Sequence, residues 1–483
     1  MRTRLRRLIV LSLLAHAATL AGCGLLRKPD MSRTASIAAL RPPQRPLIFI
    51  PGFLGTKLKD PATHDVAWGT MANILMGGDK DDLALAIEPG AADTPGERME
   101  PYEIYDNLWG IEYYREVLRS LRTAGGYTFG AIDDPKPGDN AFVFLYDWRR
   151  DNVESAALLA RAIDRLADYY GDPGLEFDLL AHSQGGLIAR YYIKYGDAPL
   201  SPEGEPARPT MAGARHVGKV VMVGTPNRGC LEALKILHLG LKKVFRPIRP
   251  EVVFTMPSVY QMLPPPQEIR FANAAGEPIP LDLYDAATWE HEGLSFFSAA
   301  AQERIREASR KTPGGSDMAS LNATHRAFLA RMLSSARRFQ QALDAPAAGE
   351  ESISYHAFGA DCNPTLKAAM IVEKDGRHDI HFDEDALGEG LRAKLAKLFY
   401  GPGDGTVLMR SLLAIPDNPE GSSARDDAME FETAFFVCAE HGVLPNNPIF
   451  QNNLLYLLLR DDATGSAEPG IASRAGAAPR QPR

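Results

Sequence analysis

Short, nearly continuous apolar runs alternate with helical patterns along the chain. Leu47-Ile48-Phe49-Ile50 is a strand-like run that stops at Pro51-Gly52. Ala141 to Tyr146 (AFVFLY) is a second, followed by an amphipathic stretch from Val153 to Tyr170. Phe177 to Ala181 leads into a helical pattern from Gly185 to Tyr195, and Lys219 to Val223 ends at Gly224-Thr225-Pro226. Ile353 to Phe358 and Ala434 to Cys438 supply two more strands. Runs of Ile, Val, Leu and Phe without polar alternation fit strands buried on both faces, as in a parallel sheet. Strands separated by helices then predict an α/β fold, a mostly parallel central sheet with helices on both faces.

Two long, Pro-rich stretches interrupt the pattern, 57–110 and 227–348. Insertions of this length in a compact domain usually carry function, such as a lid over a site. In a parallel sheet they emerge at the carboxyl ends of the strands, where ligands bind. The folded α/β domain is expected over residues 47–460 and a disordered tail, rich in Ala, Gly, Ser and Pro, over 461–483.

The N-terminal pattern is of another kind. Arg2, Arg4, Arg6 and Arg7 precede an apolar run from Leu8 to Leu20, too short for a membrane span and suited to a signal peptide. Leu20-Ala21-Gly22-Cys23 resembles the lipobox of bacterial lipoproteins. Residues 1–22 are therefore expected to be removed, leaving a lipidated Cys23 and a polar tether over 23–46 on a bacterial envelope membrane. Composition narrows the partners further. The 483 residues are 45% hydrophobic and carry a net charge of −8 with signs interspersed, so nucleic acid, which needs clustered cations, is excluded. Of the other cysteines, Cys230, Cys362 and Cys438, the last two each follow a strand, a placement that allows them to pair.

The chemistry concentrates in Ala181-His182-Ser183-Gln184-Gly185-Gly186. A strand runs into a serine and glycines open a helix, the pattern of a nucleophile elbow, with Ala181 in the place where Gly is usual. Serine needs a base, an orienting acid and an oxyanion hole. The backbone N–H groups of Gln184 and of Phe53, in the Pro51-Gly52-Phe53-Leu54-Gly55 loop, are the expected oxyanion donors. His441, between the last strand and a helical stretch through Leu459, is the expected base. His356 lies within a strand, and His182 should point away from Ser183. His378 and His381 sit in a charged hairpin-like segment without a convincing further set of metal ligands. For the acid, Asp361 closely follows the strand ending at Phe358 and Asp404 lies in a glycine-flanked turn, and spacing does not choose between them. These features together predict the α/β-hydrolase fold.

With those residues in place the chain resembles the lecithin:cholesterol acyltransferase-like family of α/β-hydrolases, which includes lysosomal phospholipase A2. The matching pieces include 50–58 (IPGFLGTKL), Tyr146-Asp147-Trp148-Arg149, the elbow and Gly224-Thr225-Pro226. Residues 257–264 (PSVYQMLP), Gly403-Asp404-Gly405-Thr406-Val407 and His441-Gly442-Val443-Leu444 complete the set. The resemblance implies Ser183 as nucleophile, Asp404 as acid and His441 as base, with Asp147 and Arg149 structural. It also implies a membrane-touching insertion at Trp68 to Met76 and a lid-bearing cap. The expected activity is acyl hydrolysis of lipid esters or acyl transfer to an alcohol, through an acyl-enzyme and without metal or organic cofactor. A carboxylesterase or thioesterase on non-lipid substrates, or a non-catalytic envelope binding protein, would share much of this sequence.

Overall fold

The computed structural model describes residues 45–70, 80–88, 95–105, 107–108, 111–241, 247–268, 270–273, 275–311, 317–374, 377–382, 397–416 and 429–459. The expected leader, Cys23 with most of its tether, and the tail after Leu459 lie outside them, as do residues 71–76.

A seven-stranded sheet forms the centre. Its strands are β1 (Leu47–Ile50), β2 (Phe129–Gly130), β3 (Ala141–Val143), β4 (Phe177–His182), β5 (Val217–Val223), β6 (Ser354–Gly359) and β7 (Thr433–Phe436). Their order is β7-β6-β5-β4-β1-β3-β2, and every pairing in it is parallel. The period-two alternation of strand side chains sorts the core into two layers. Ile48, Ile50, Leu179, Ala181, Val220 and Met222 face helices α2 (Asn152–Tyr170) and α3 (Gln184–Tyr195). Leu47, Phe49, Leu180, Val221 and Val223 face α1 (Arg115–Ala124) and a C-terminal helix over Pro448–Leu458. The predicted sheet with helices on both faces is therefore the architecture observed.

The helix α2 has the boundaries its sequence dictates: Asp151 accepts from the Val153 N–H at its start, and Gly171 ends it in the left-handed region. The run 141–146 leaves the sheet early, at Val143. Tyr146 instead donates to the Pro51 carbonyl (2.7 Å), and the Trp148 indole donates to the Thr56 carbonyl (2.9 Å). Arg149 is fully buried and forks onto both oxygens of Asp147, while its remaining donors reach the carbonyls of Leu83 and Gly96. This pair pins the first insertion to the sheet, a structural role.

That insertion contains a three-stranded antiparallel sheet, in which Thr56–Lys59 lies between Val66–Trp68 and Glu100–Ile104. One expectation fails here. Trp68 is 1% exposed, donates to the Leu54 carbonyl and packs on Trp148 and Tyr105. Strand pairing turns its side chain into the core, so it cannot be the membrane-facing aromatic anticipated for Trp68 to Met76.

The second insertion is not irregular. It holds α4 (Leu231–Leu239), a helix at Ala299–Lys311 and the long α5 (Met318–Asp344), among shorter helices. Phe328, Leu329, Leu333, Ala336, Phe339 and Leu343 recur at helical spacing and bury one face of α5. The last carbonyls of α5 are capped by the elbow helix: Lys194 donates to Leu343 and Ala345 (2.8 Å each), and Arg190 donates to Leu343 (3.0 Å). Cations at a helix C-terminus satisfy orphan acceptors and complement the dipole.

Candidate active site

Ser183 lies where β4 turns into α3, at φ 53° and ψ −124°. A non-glycine residue at positive φ is costly and persists only where its surroundings impose it. Here the Ser183 N–H donates to the Val223 carbonyl (2.8 Å), and the Ser183 carbonyl accepts from the Gly186 N–H (3.0 Å). The helix passes so close to β1 that a Cβ on Gly185 would sit 2.5 Å from the Ile50 carbonyl oxygen. Larger residues there would push the helix off the sheet and move the hydroxyl with it.

His441 reaches Ser183 from across the sheet. Its Nε2 is 2.9 Å from Ser183 Oγ, and its Nδ1 is 2.7 Å from Asp404 Oδ2. Ser183 and Asp404 are 6% and 2% exposed, and the His441 side chain is 14% exposed. The three side chains named from the sequence thus form one hydrogen-bonded line.

Asp404 does not follow a strand of the main sheet. After β6 the chain forms an antiparallel ribbon, Asn363–Leu366 with Tyr400–Gly403, and Asp404 follows its second strand. The turn is tightly specified. Asp404 Oδ1 accepts from the N–H groups of Thr406 (3.0 Å) and Val407 (2.7 Å), leaving Oδ2 for His441. Burial works to raise this carboxyl, but the neighbouring imidazole and these backbone donors outweigh it, holding Asp404 below the ordinary carboxylate range. The rival acid, Asp361, is exposed.

Acid and base loops are also joined to each other. Cys362 and Cys438 form a disulfide with Cα atoms 5.5 Å apart, Asn363 Nδ2 donates to the Ala439 carbonyl (2.8 Å), and the His441 N–H donates to the Asp404 carbonyl (2.9 Å). Gly224, at φ +57°, closes the floor: a Cβ there would lie 3.0 Å from both Asp404 Oδ2 and His441 Nδ1. Its sequence signal was the Gly224-Thr225-Pro226 piece at the end of its strand, which carried no assigned role. The third cysteine, Cys230, is unpaired and buried, and burial pushes its thiol up to about 12.

The proposed oxyanion donors occupy suitable ground. Gln184 is the first residue of α3, so its N–H has no acceptor within the helix. Its side chain is locked from behind, donating to Asn152 Oδ1 (2.8 Å) and the Trp148 carbonyl (3.2 Å). Ser258 donates to that same carbonyl, and the Gln261 side chain bridges the Asn152 N–H and Asp151. The Tyr-Asp-Trp-Arg and Pro-Ser-x-Tyr pieces therefore converge behind the residue after the nucleophile. The Pro51–Gly55 loop lies against the elbow: a Cβ on Gly52 would be 2.8 Å from Ser183 Cβ. The Phe53 ring packs edge-on against Trp148, with centroids 4.9 Å apart.

His182 turns away from the reacting edge, but it is not inert packing. Its Nδ1 is 2.8 Å from the hydroxyl of Tyr114, and its Nε2 is 3.2 Å from the His441 carbonyl. Burial, and then the nearby charge of His441, lower its pKa to about 3. Sequence reasoning missed Tyr114 altogether, since an aromatic residue at a helix start carries no chemical signature. His356 is buried within β6 with Nε2 2.9 Å from Ser354 Oγ, and His381 sits on the hairpin strand Arg377–His381. Among the described residues, no three His, Cys, Asp or Glu side chains are grouped to hold a metal ion.

No protein-family model and no curated protein sequence matches the chain. Solved structures do. A chain of the Tle4-Tli4 complex is similar with a TM-score of 0.50 and 15% identity, over 86% of this chain and 98% of that one. The mature form of Bacillus licheniformis lipase BlEst2 is similar over 86% of this chain and 93% of its own, at 10% identity and a TM-score of 0.33. MenH from S. aureus covers 86% of this chain at 10% identity and a TM-score of 0.24. The first of these, at a TM-score of 0.50, is a likeness of architecture, and with the parallel sheet and the strand–Ser–helix turn it gives the chain an α/β-hydrolase fold.

Proposed function

We propose that this protein is a serine acyl hydrolase or O-acyltransferase of lipid esters that works through an acyl-enzyme on Ser183. The observation that carries the reading is the unbroken line Ser183 Oγ–His441–Asp404, attached to a strained elbow. Neutral His441, with its proton on Nδ1 facing the carboxylate, presents the Nε2 lone pair to the serine hydroxyl. It takes that proton as the oxygen attacks an ester carbonyl. Asp404 fixes this tautomer and stabilises the imidazolium that results. The Gln184 and Phe53 N–H groups would meet the oxyanion, a contribution of about 10²- to 10³-fold per donor in comparable sites. His441 then returns the proton to the leaving alcohol. Water or a second alcohol repeats the sequence in reverse to release the acid or a new ester.

The lipid substrate class rests on the family resemblance carried by the pieces that converge behind Gln184. It also rests on the lipobox, which would hold the catalytic domain at an envelope membrane through Cys23. The decisive experiment incubates the full protein with vesicles of mixed phospholipid and sterol and analyses the lipids, with Ser183→Ala as control. Free fatty acid marks a hydrolase and a new sterol ester an acyltransferase, and both should vanish in Ser183→Ala while its thermal midpoint stays unchanged. Turnover of soluble esters alone would replace the lipid reading by a carboxylesterase one. No fluorophosphonate labelling of Ser183 would end the catalytic reading.

A further inference from the structure

We infer that Tyr114 and His182 form a directed hydrogen-bond tie between the oxyanion loop and the backbone of the base, acting as positioning residues for acylation of Ser183. The inference rests on the serine-hydrolase reading above and adds two residues to it.

The direction follows from donor chemistry. The Gly52 N–H donates to the Tyr114 oxygen (3.0 Å), so the phenol's own proton is left for its other partner, His182 Nδ1, at 2.8 Å. At the far side of the ring the His441 carbonyl can only accept, so His182 Nε2 carries the imidazole proton toward it (3.2 Å). Every group then has one role: Gly52 N–H to Tyr114, Tyr114 O–H to His182, His182 N–H to His441. A protonated His182 would present two donors and break the middle link. The ring's burial and the cation forming on His441 both keep it neutral.

The tie joins the two segments that must move least during acylation. Gly52 precedes Phe53, the proposed oxyanion donor, and His441 is the base itself. Neither the triad's own hydrogen bonds nor the sheet ladder links them. Tyr114 is itself firmly held, because it stands at the start of α1, is 2% exposed and packs edge-on against Phe49 of β1 (5.0 Å). Helix α1 also touches the base loop, where the Val117 N–H donates to Asn446 Oδ1 (3.3 Å). Because misplacement of a reacting group by an ångström can cost about 100-fold in rate, a tie of this kind belongs to turnover rather than to substrate affinity.

The test compares full-length wild type, Tyr114→Phe, His182→Gln and His182→Leu. Fluorophosphonate labelling of Ser183 and steady-state hydrolysis of p-nitrophenyl butyrate are the readouts, with the thermal midpoint as a folding control. Tyr114→Phe keeps the ring packing and loses only the hydroxyl. It should lower the labelling rate and kcat about 10- to 100-fold with KM little changed. Gln offers an acceptor and a donor on one side chain whereas Leu offers neither, so His182→Gln should keep at least several-fold more activity than His182→Leu. If His182→Leu does not fold, Tyr114→Phe alone decides. Wild-type rates in Tyr114→Phe, or equal losses in folded Gln and Leu variants, overturn the inference. No labelling of wild-type Ser183 removes the hydrolase reading and the inference with it, whereas labelling at a rate shared by the variants removes the inference alone.

Discussion

The two halves of the candidate site are held in place by different means. Ser183 is fixed locally: β4 and α3 carry it, β1 and β5 flank β4 in register, and backbone hydrogen bonds to Val223 and from Gly186 hold the turn. Asp404 and His441 stand outside the sheet ladder. Their mutual position comes from cross-links between segments distant in sequence: the Cys362–Cys438 bond, 76 residues apart, the Asn363 amide on Ala439, and the backbone bond between His441 and Asp404. A nucleophile can therefore be specified by one continuous stretch of chain, whereas an acid–base pair on this fold needs tertiary structure.

Substitution of the acid should have the largest effect. In Asp404→Asn, the amide oxygen would remain with the Thr406 and Val407 N–H groups, since those donors demand an acceptor. The amide NH₂ would then face His441 Nδ1 and force the imidazole proton onto Nε2. That tautomer cannot receive the serine proton. A fall in kcat of about 10⁴-fold is expected with the fold unchanged, as when the acid of a serine triad is made an amide. Steady-state kinetics with circular dichroism checks it, and a fall of less than tenfold would mean that the acid lies elsewhere.

Removing the cross-link comes next. Cys362→Ser with Cys438→Ser frees a long loop in the unfolded chain and should cost about 2–4 kcal/mol of stability. Activity should fall further than that of an elbow-side core variant of equal stability loss that leaves the Ser183 turn intact, because the bond tethers only the acid and base loops. Denaturant unfolding and kcat measured on the same preparations make the comparison. Equal sensitivity on the two sides would show that the difference in construction has no kinetic consequence.

The same contrast explains what could be read from sequence. The strands β1, β4 and β5 were legible because burial on both faces leaves an apolar run, and the elbow because a tight turn demands small residues beside the serine. His441 was legible as the histidine between the last strand and last helix. The acid was not, since Asp361 follows a legible strand whereas Asp404 shows only a glycine-flanked turn, and only the ribbon pairing of Asn363–Leu366 with Tyr400–Gly403 brings the second to the imidazole. The helix α5 was missed although its apolar spacing is regular, because its surroundings are Pro-rich and polar. Trp68 was misjudged because an aromatic residue in an insertion carries no mark of the face on which its strand will pair.

Acid pH should expose the His182 tie at a smaller scale. With a folded pKa of about 3 against an ordinary 6.5, the folded state refuses a proton that the unfolded chain binds. Its contribution is therefore complete above about pH 6.5 and shrinks as pH falls toward 3, by up to about 1.4 kcal/mol per pH unit. Tyr114, His441 and Asp404 are the groups that face it, and Asp404, whose own pKa is lowered, adds its loss only at more acidic pH. Between pH 7.5 and 5, wild type should lose more stability than His182→Gln in denaturant titrations; parallel losses would count against the buried neutral ring.

The smallest expected effect separates the two acids most cleanly. Asp361 is exposed, immediately after the Ala360 that follows β6 and beside the cross-linked Cys362. An amide there removes one solvated charge and disturbs no described hydrogen bond, so Asp361→Asn should change stability by no more than about 0.5 kcal/mol. It should also leave kcat within about twofold of wild type, equivalent to less than about 0.5 kcal/mol of barrier. Measured beside Asp404→Asn, it asks whether the acid is chosen by chain position or by tertiary contact. Nearness to the strand end favours Asp361, while the backbone donors, the burial and the imidazole all gather on Asp404. A large loss at Asp361 would mean that the ribbon opens during turnover and that His441 changes partners; a silent Asp361 leaves the cross-linked ribbon as the element that orients the base.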